Sequence, residues 1–163
     1  MILDNFHILS GAVSAAGAVT GQLITTNSQL STNTIDLGPL SIGGNQAGDT
    51  GAGEALEISI SVLVAPLTAT TTQFQLIQAD DAALSTNVQV INQTDAFPIA
   101  SLPAGTLVPL HWDRAAPYAP KRYVGLRVVS TGSVVTALSI FAATAKNVQD
   151  VKNLYFKSGY LVS

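Results

Sequence analysis

The chain has 163 residues, with no cysteine, two histidines, seven basic and ten acidic side chains, and 47% hydrophobic residues. The lack of thiols excludes disulfides, zinc–thiolate sites and iron–sulfur clusters. A formal net charge of −3 with few Lys and Arg argues against a nucleic-acid partner, whose phosphates those residues would have to neutralise.

With 10% charged residues, there is little from which to assemble an active site of matched titratable groups. The composition therefore points to a structural or binding protein and not to an enzyme, with no cofactor expected. The length suits one domain with a full core and an extra arm. Met1 to His7 has no basic stretch followed by an apolar run, so no secretory signal is read there. The uncharged stretch from Asn5 to Ile35 is long, but Ser, Thr, Gln, Asn and Gly interrupt it throughout. A membrane span needs about 20 predominantly apolar residues, so no membrane partner is expected.

In chain order, residues 1–33 read as an N-terminal strand or arm region rich in small residues, with Leu23 and Ile24 as isolated apolar anchors. Residues 34–145 read as the β-sandwich core. Leu56, Ile58, Ile60, Val62 and Val64 alternate with other residues in the period-two pattern of a half-buried strand, which Pro66 ends. Gln73 to Ala79 alternates likewise, and Asp80 and Asp81 supply turn chemistry at its end. Shorter strands are predicted at Asn87–Ile91, Phe97–Leu102 and Thr106–Trp112. Pro98 and Pro109 cannot donate to a ladder, so those segments belong at edges or strand starts.

Lys121 to Ser130 places Val124, Leu126 and Val128 on a core face. Thr131-Gly132-Ser133 then reads as a hairpin turn, with Val134 to Ala145 as the antiparallel partner. Many short strands divided by Gly, Pro, Asn and Asp predict an all-β antiparallel sandwich with an extended N-terminal segment. Residues 146–163 form a C-terminal arm holding three of the chain's aromatic residues, Tyr155, Phe156 and Tyr160, followed by Leu161 and Val162. These make Tyr155, Phe156, Tyr160 and Leu161 the candidate interface residues, for folding back on the domain or crossing to a neighbour.

The candidates for chemistry are thin. His111-Trp112-Asp113-Arg114 is the densest polar–aromatic cluster, but neighbours on a strand point to opposite faces and no nucleophile is fixed nearby. Asp80, Asp81 and Asp95 lack the spacing of a calcium loop, which must gather about six to eight oxygens, and are better read as turn caps. The glycine-rich stretch from Gly43 to Glu54 lacks the Gly-Lys-Ser/Thr ending of a phosphate loop. No Gly-x-Ser-x-Gly elbow occurs. No catalytic, metal or cofactor residue is assigned.

Several segments together carry a resemblance. They are Met1-Ile-Leu-Asp-Asn-Phe6, Ser31-Thr-Asn-Thr-Ile-Asp-Leu-Gly38, Gly51-Ala-Gly-Glu-Ala-Leu56, Phe97-Pro-Ile-Ala-Ser-Leu102 and Pro120-Lys-Arg-Tyr-Val-Gly-Leu-Arg127. Over roughly residues 1 to 145 the chain resembles the capsid cement (decoration) proteins of tailed bacteriophages, in the jelly-roll group first described from a Bordetella phage. The resemblance implies a jelly-roll sandwich made in the host cytoplasm and bound to the outer surface of an icosahedral capsid in the virion. It also implies the major capsid protein as partner, and a homo-dimer or homo-trimer at a capsid symmetry axis. The competing expectation is a carbohydrate- or receptor-binding module, with Trp112, Tyr118 and Tyr123 as its aromatic platform.

Overall fold

The computed structural model describes residues 7–38, 56–112 and 121–145. Thirteen strands run in the order β1 Ile8–Ser10, β2 Ala12–Val13, β3 Val19–Thr20, β4 Gln22–Leu23, β5 Ser28–Leu30, β6 Ile35–Asp36, β7 Leu56–Val64, β8 Leu67–Ala79, β9 Gln89–Gln93, β10 Phe97–Pro98, β11 Leu107–Trp112, β12 Tyr123–Thr136 and β13 Ser139–Ala145. One sheet has the order β1-β13-β7-β11, with β4 also on β13; the other runs β10-β8-β12-β5, with β6 on β12 and β9 on β8. All pairings are antiparallel, and β2 with β3 forms a separate two-stranded ribbon. From β7 onward the chain switches repeatedly between the sheets, giving an antiparallel β-sandwich of jelly-roll type.

The core lies between the sheets. The alternation in β7 buries Ile58, Ile60 and Val62, and β8 contributes Phe74 and Leu76, β12 Val124, Leu126 and Val128, and β13 Ile140 and Ala142. β-branched side chains suit this pleated, half-buried surface, which is why the period-two pattern survives in the fold. Pro109 sits in β11 and Pro98 in β10, each at the end of its sheet's strand order, where a missing N–H breaks no interior ladder.

Three expectations change. The strand expected over Phe97–Leu102 is confined to Phe97–Pro98, and Ile99–Ser101 forms a 3-10 turn instead. β8 begins at Leu67, six residues before the predicted Gln73, because the Thr-rich segment Thr68–Thr72 pairs along β12. The expected hairpin at Thr131-Gly132-Ser133 does not form. Instead β12 runs through those residues to Thr136 with a register irregularity, and β13 lies in the opposite sheet, paired with β7. Gly132, at φ +84°, lets β12 bulge where a Cβ would collide with the Thr70 hydroxyl. The reversal falls at Ala137, at φ +62°, and buried Leu138. The predicted core face of Val124, Leu126 and Val128 stands, since it depends only on alternation.

Residues 8–30 form strands in both sheets. Leu9 and Ile24 are core residues, whereas Leu23 stays exposed. Buried Gln22 ties the sheets along one side: its Nε2 donates to the Leu30 carbonyl (2.8 Å), and the Thr32 N–H donates to its Oε1 (3.0 Å).

Candidate interaction surfaces

The two ends of the sandwich differ in chemistry. At one end, β6 pairs with the start of β12 so that Asp36 lies opposite Tyr123 and Ile35 opposite Val124. Arg122 donates to Asp36 through Nε (2.7 Å to Oδ1) and Nη2 (2.9 Å to Oδ2), a two-bond fork that matches guanidinium to carboxylate. The Gly38 N–H also donates to Asp36 Oδ1 (2.8 Å). The Arg122 hydrogen bond and, to a smaller degree, the Gly38 N–H hold the Asp36 carboxyl below its ordinary range, and Asp36 in turn raises Arg122. The guanidinium lies 5.0 Å from the centre of the Tyr123 ring. The segments Ser31–Gly38 and Lys121–Arg127, far apart in sequence, thus meet as one corner of the fold.

Beside this corner, Lys121 Nζ and Asn87 Nδ2 donate to Asp80, at 2.8 and 2.7 Å, and lower its pKa, Lys121 the more. Asp81 caps the following turn. It accepts from the Thr86 N–H (2.6 Å), the Ser85 hydroxyl (2.8 Å) and the Ser85 N–H (3.0 Å), and its pKa falls to about 2, chiefly through the Thr86 N–H. The turn folds Leu84 over Gly125, where any side chain on residue 125 would clash. Leu84 joins Ile77 and Ala79 in a small second apolar cluster against which Leu30, Val88, Val90 and Tyr123 pack.

At the same end of the other sheet, His111 lies opposite Glu57 in register, with Nδ1 3.5 Å from Glu57 Oε1. His111 is exposed, while adjacent Trp112 is 6% exposed and belongs to the core, so the strand does separate the two faces. Asp113 and Arg114 lie outside the described residues. Of the candidate platform residues, Trp112 and Tyr123 do not share one exposed aromatic surface. Trp112 faces inward from one sheet, Tyr123 packs on the outer cluster of the other, and Tyr118 lies outside the described residues. A buried Trp ring offers a sugar no stacking face. Tyr155, Phe156, Tyr160 and Leu161 also lie outside the described residues, as does the glycine-rich stretch from Gly43 to Glu54.

The opposite end is apolar. Here β7 turns into β8 and β12 crosses to β13, and residues 63–69 and 131–139 contain no charged side chain. Leu23, Leu63, Val64, Leu67 and Val134 gather at this end and are 38% to 55% exposed. Leu23 and Val64 both sit opposite Ser139, and Leu67 sits opposite Thr136. Thr68 takes a left-handed backbone conformation, and its hydroxyl donates to the Val134 carbonyl, which pins the end. Large exposed apolar side chains grouped in this way mark contact surfaces more often than scattered ones do.

Two shallow clefts share Thr32 and Asn33. One is lined by Gly11, Thr20, Gly21 and Gln22, the other by His7, Thr34, Ile35 and Asp36. Among the described residues, no group of three or more His, Asp or Glu lies close enough to share a cation.

A protein-family model named Bbp16 matches residues 13–144. The chain belongs to the Bbp16 family. The family's name points to a Bordetella phage protein, in agreement with the resemblance read from the sequence, and places the chain among phage-associated structural proteins. No curated protein matches the chain. The match runs from β2 almost to the end of β13 and so takes in both ends of the sandwich, while residues 146–163 fall beyond it. Sequence reasoning missed the apolar end, because exposure there depends on which strand termini the sheets bring together. One signal was available: Leu63 is a large apolar residue at a position where the alternation of β7 calls for a polar one.

Proposed function

We propose that this chain is a non-catalytic capsid cement protein, bound to the outer surface of an icosahedral phage capsid across neighbouring major capsid proteins, where it stabilises the expanded shell. Membership of the Bbp16 family over residues 13–144 carries this reading. The chemistry of the domain is in keeping with it, since the charges at the polar end hold that corner together and the apolar end offers a surface that gains by leaving water. In this reading, the apolar end around Leu67 and Val134 contacts the shell. Residues 146–163, with Tyr155, Phe156, Tyr160 and Leu161, serve as an arm to a neighbouring subunit of a homo-dimer or homo-trimer. Modest contacts suffice when linked copies act on one shell.

Co-sedimentation of the purified protein with expanded, decoration-free capsids tests the proposal, with unexpanded shells as control. Saturable binding at a fixed ratio to the major capsid protein, selective for expanded shells, is expected; no binding to either shell would overturn it. Deletion of residues 147–163 is expected to weaken assembly or shell binding while the β-domain stays folded, and full retention of both would remove the arm from the proposal.

A further inference from the structure

Among the described residues there are three Lys and Arg side chains, and two of them are matched to carboxylates: Lys121 to Asp80 and Arg122 to Asp36. Arg127 is different. It stands in the middle of β12 with Leu30 of β5 opposite on one side and Gln75 of β8 opposite on the other. Its Nε donates to Gln75 Oε1 (2.8 Å), and its terminal N–H groups have no partner among the described residues.

The amide that holds it is itself fixed. Gln75 is buried, and its Nε2 donates to Gln73 Oε1 (3.1 Å) and Gln93 Oε1 (3.0 Å). Gln73 Nε2 in turn donates to the Thr94 carbonyl (2.8 Å). A chain of neutral amides thus orients a guanidinium without neutralising it.

We propose that Arg127 is a recognition point for one carboxylate, an Asp or Glu side chain of a protein partner laid on this sheet face. A half-buried cation gains most from an opposite charge that displaces its water, and the planar fork of a guanidinium fits a single carboxylate. Its rotamer freedom is already restricted by the amide chain, so less is lost on binding. The neighbours Leu30, Gln75, Gln93 and Val129 are uncharged, so one acid is called for and not a run of phosphates, which several cations would have to meet. Only the identification of the partner as a shell protein rests on the cement reading; the carboxylate site stands apart from it.

The test uses the isotope-labelled full chain at low salt, titrated with hexaglutamate peptide as the carboxylate probe and inorganic phosphate as comparator. The Arg127 Nε–H signal and the side-chain amides of Gln75 and Gln93 are expected to shift saturably with hexaglutamate. In R127Q the affinity should fall by about tenfold, with R127K between because an ammonium lacks the fork. Unchanged backbone amide signals elsewhere in β8 and β12 certify that the variants are folded. The proposal is overturned if no saturable shift occurs, if R127Q or R127K binds like the wild type, or if phosphate shifts Arg127 as strongly. Parallel sedimentation with expanded shells separates the two claims. If wild-type protein ignores the shells yet hexaglutamate still shifts Arg127, the cement reading falls and the carboxylate site stands. If shells take up wild type and R127Q alike and hexaglutamate moves nothing, the reverse holds.

Discussion

The two ends of this sandwich solve the problem of the exposed strand terminus in opposite ways. At the end bearing Asp36, Lys121 and Arg122, polar side chains satisfy one another, and the loop from Asp80 to Asn87 folds back over the outer sheet face. At the other end, Leu23, Leu63, Val64, Leu67 and Val134 are left uncovered around a backbone held by Thr68. Internally paired charges stabilise a corner but have little left to give a partner. Uncovered apolar side chains contribute little to the fold and much to an interface.

Substitutions can break that contrast at either end. The largest effect is expected from Trp112→Ala, which empties a core position beneath the polar end. It should cost about 3–5 kcal/mol in denaturant unfolding, the range for large aromatic truncations in cores. If the cost were well under 1 kcal/mol, Trp112 would not be the core residue its burial makes it. Next comes Leu67→Asp at the apolar end. Its unfolding free energy should stay within about 0.5 kcal/mol of wild type, as for exposed sites. Shell binding should drop by about a hundredfold, roughly 2.7 kcal/mol. Retained binding would take the apolar end out of the interface.

Gly132→Ala forces a side chain onto a left-handed residue against Thr70 and is expected to cost about 1–3 kcal/mol, read by thermal unfolding. An unchanged melting temperature would mean that the bulge can be rebuilt without glycine. The smallest effect is the pH dependence of the Asp81 cap. Its folded pKa, about 2, lies below the ordinary value of 3.8, so its contribution is fully present above pH 4 and is lost as pH falls toward 2. Asp81→Asn should flatten the stability profile in that window, so that the advantage of the wild type is constant between pH 6 and 8 and shrinks as pH falls toward 2. A difference between the two proteins that stays the same down to pH 2 would contradict the assignment.

Much of the fold was legible from local pattern. The limits of β7 follow from its alternation and Pro66, and Pro98 and Pro109 marked sheet edges through their missing N–H groups. The turn role of Asp80 and Asp81 likewise needs only local chemistry. The hairpin expectation failed because Thr-Gly-Ser is compatible with both a turn and a bulge. The choice was made by the Thr-rich start of β8, some sixty residues earlier in the chain, which offers β12 a longer ladder than β13 could. The surfaces were less legible still. Trp112 served as a platform residue only in the competing carbohydrate-binding expectation, and its strand parity turns it inward. Alternation with Val124, Leu126 and Val128 puts Arg127 on the outer face, but that its guanidinium, alone among the described cationic side chains, meets an amide follows from the register of β8 against β12.

The pairing of β1 with β13 has a mechanical consequence. Ile8 lies beside Ala143 and Ser10 beside Ala142, so the two places where the chain enters and leaves the described domain are neighbours on one strand pair. A pull applied through the chain at these points opens that pair one bond at a time, like a zipper. A pull along the strands loads the long β8–β12 ladder in shear, where many bonds must give together. The domain is therefore tougher when stretched along its long axis than when tugged by its own chain.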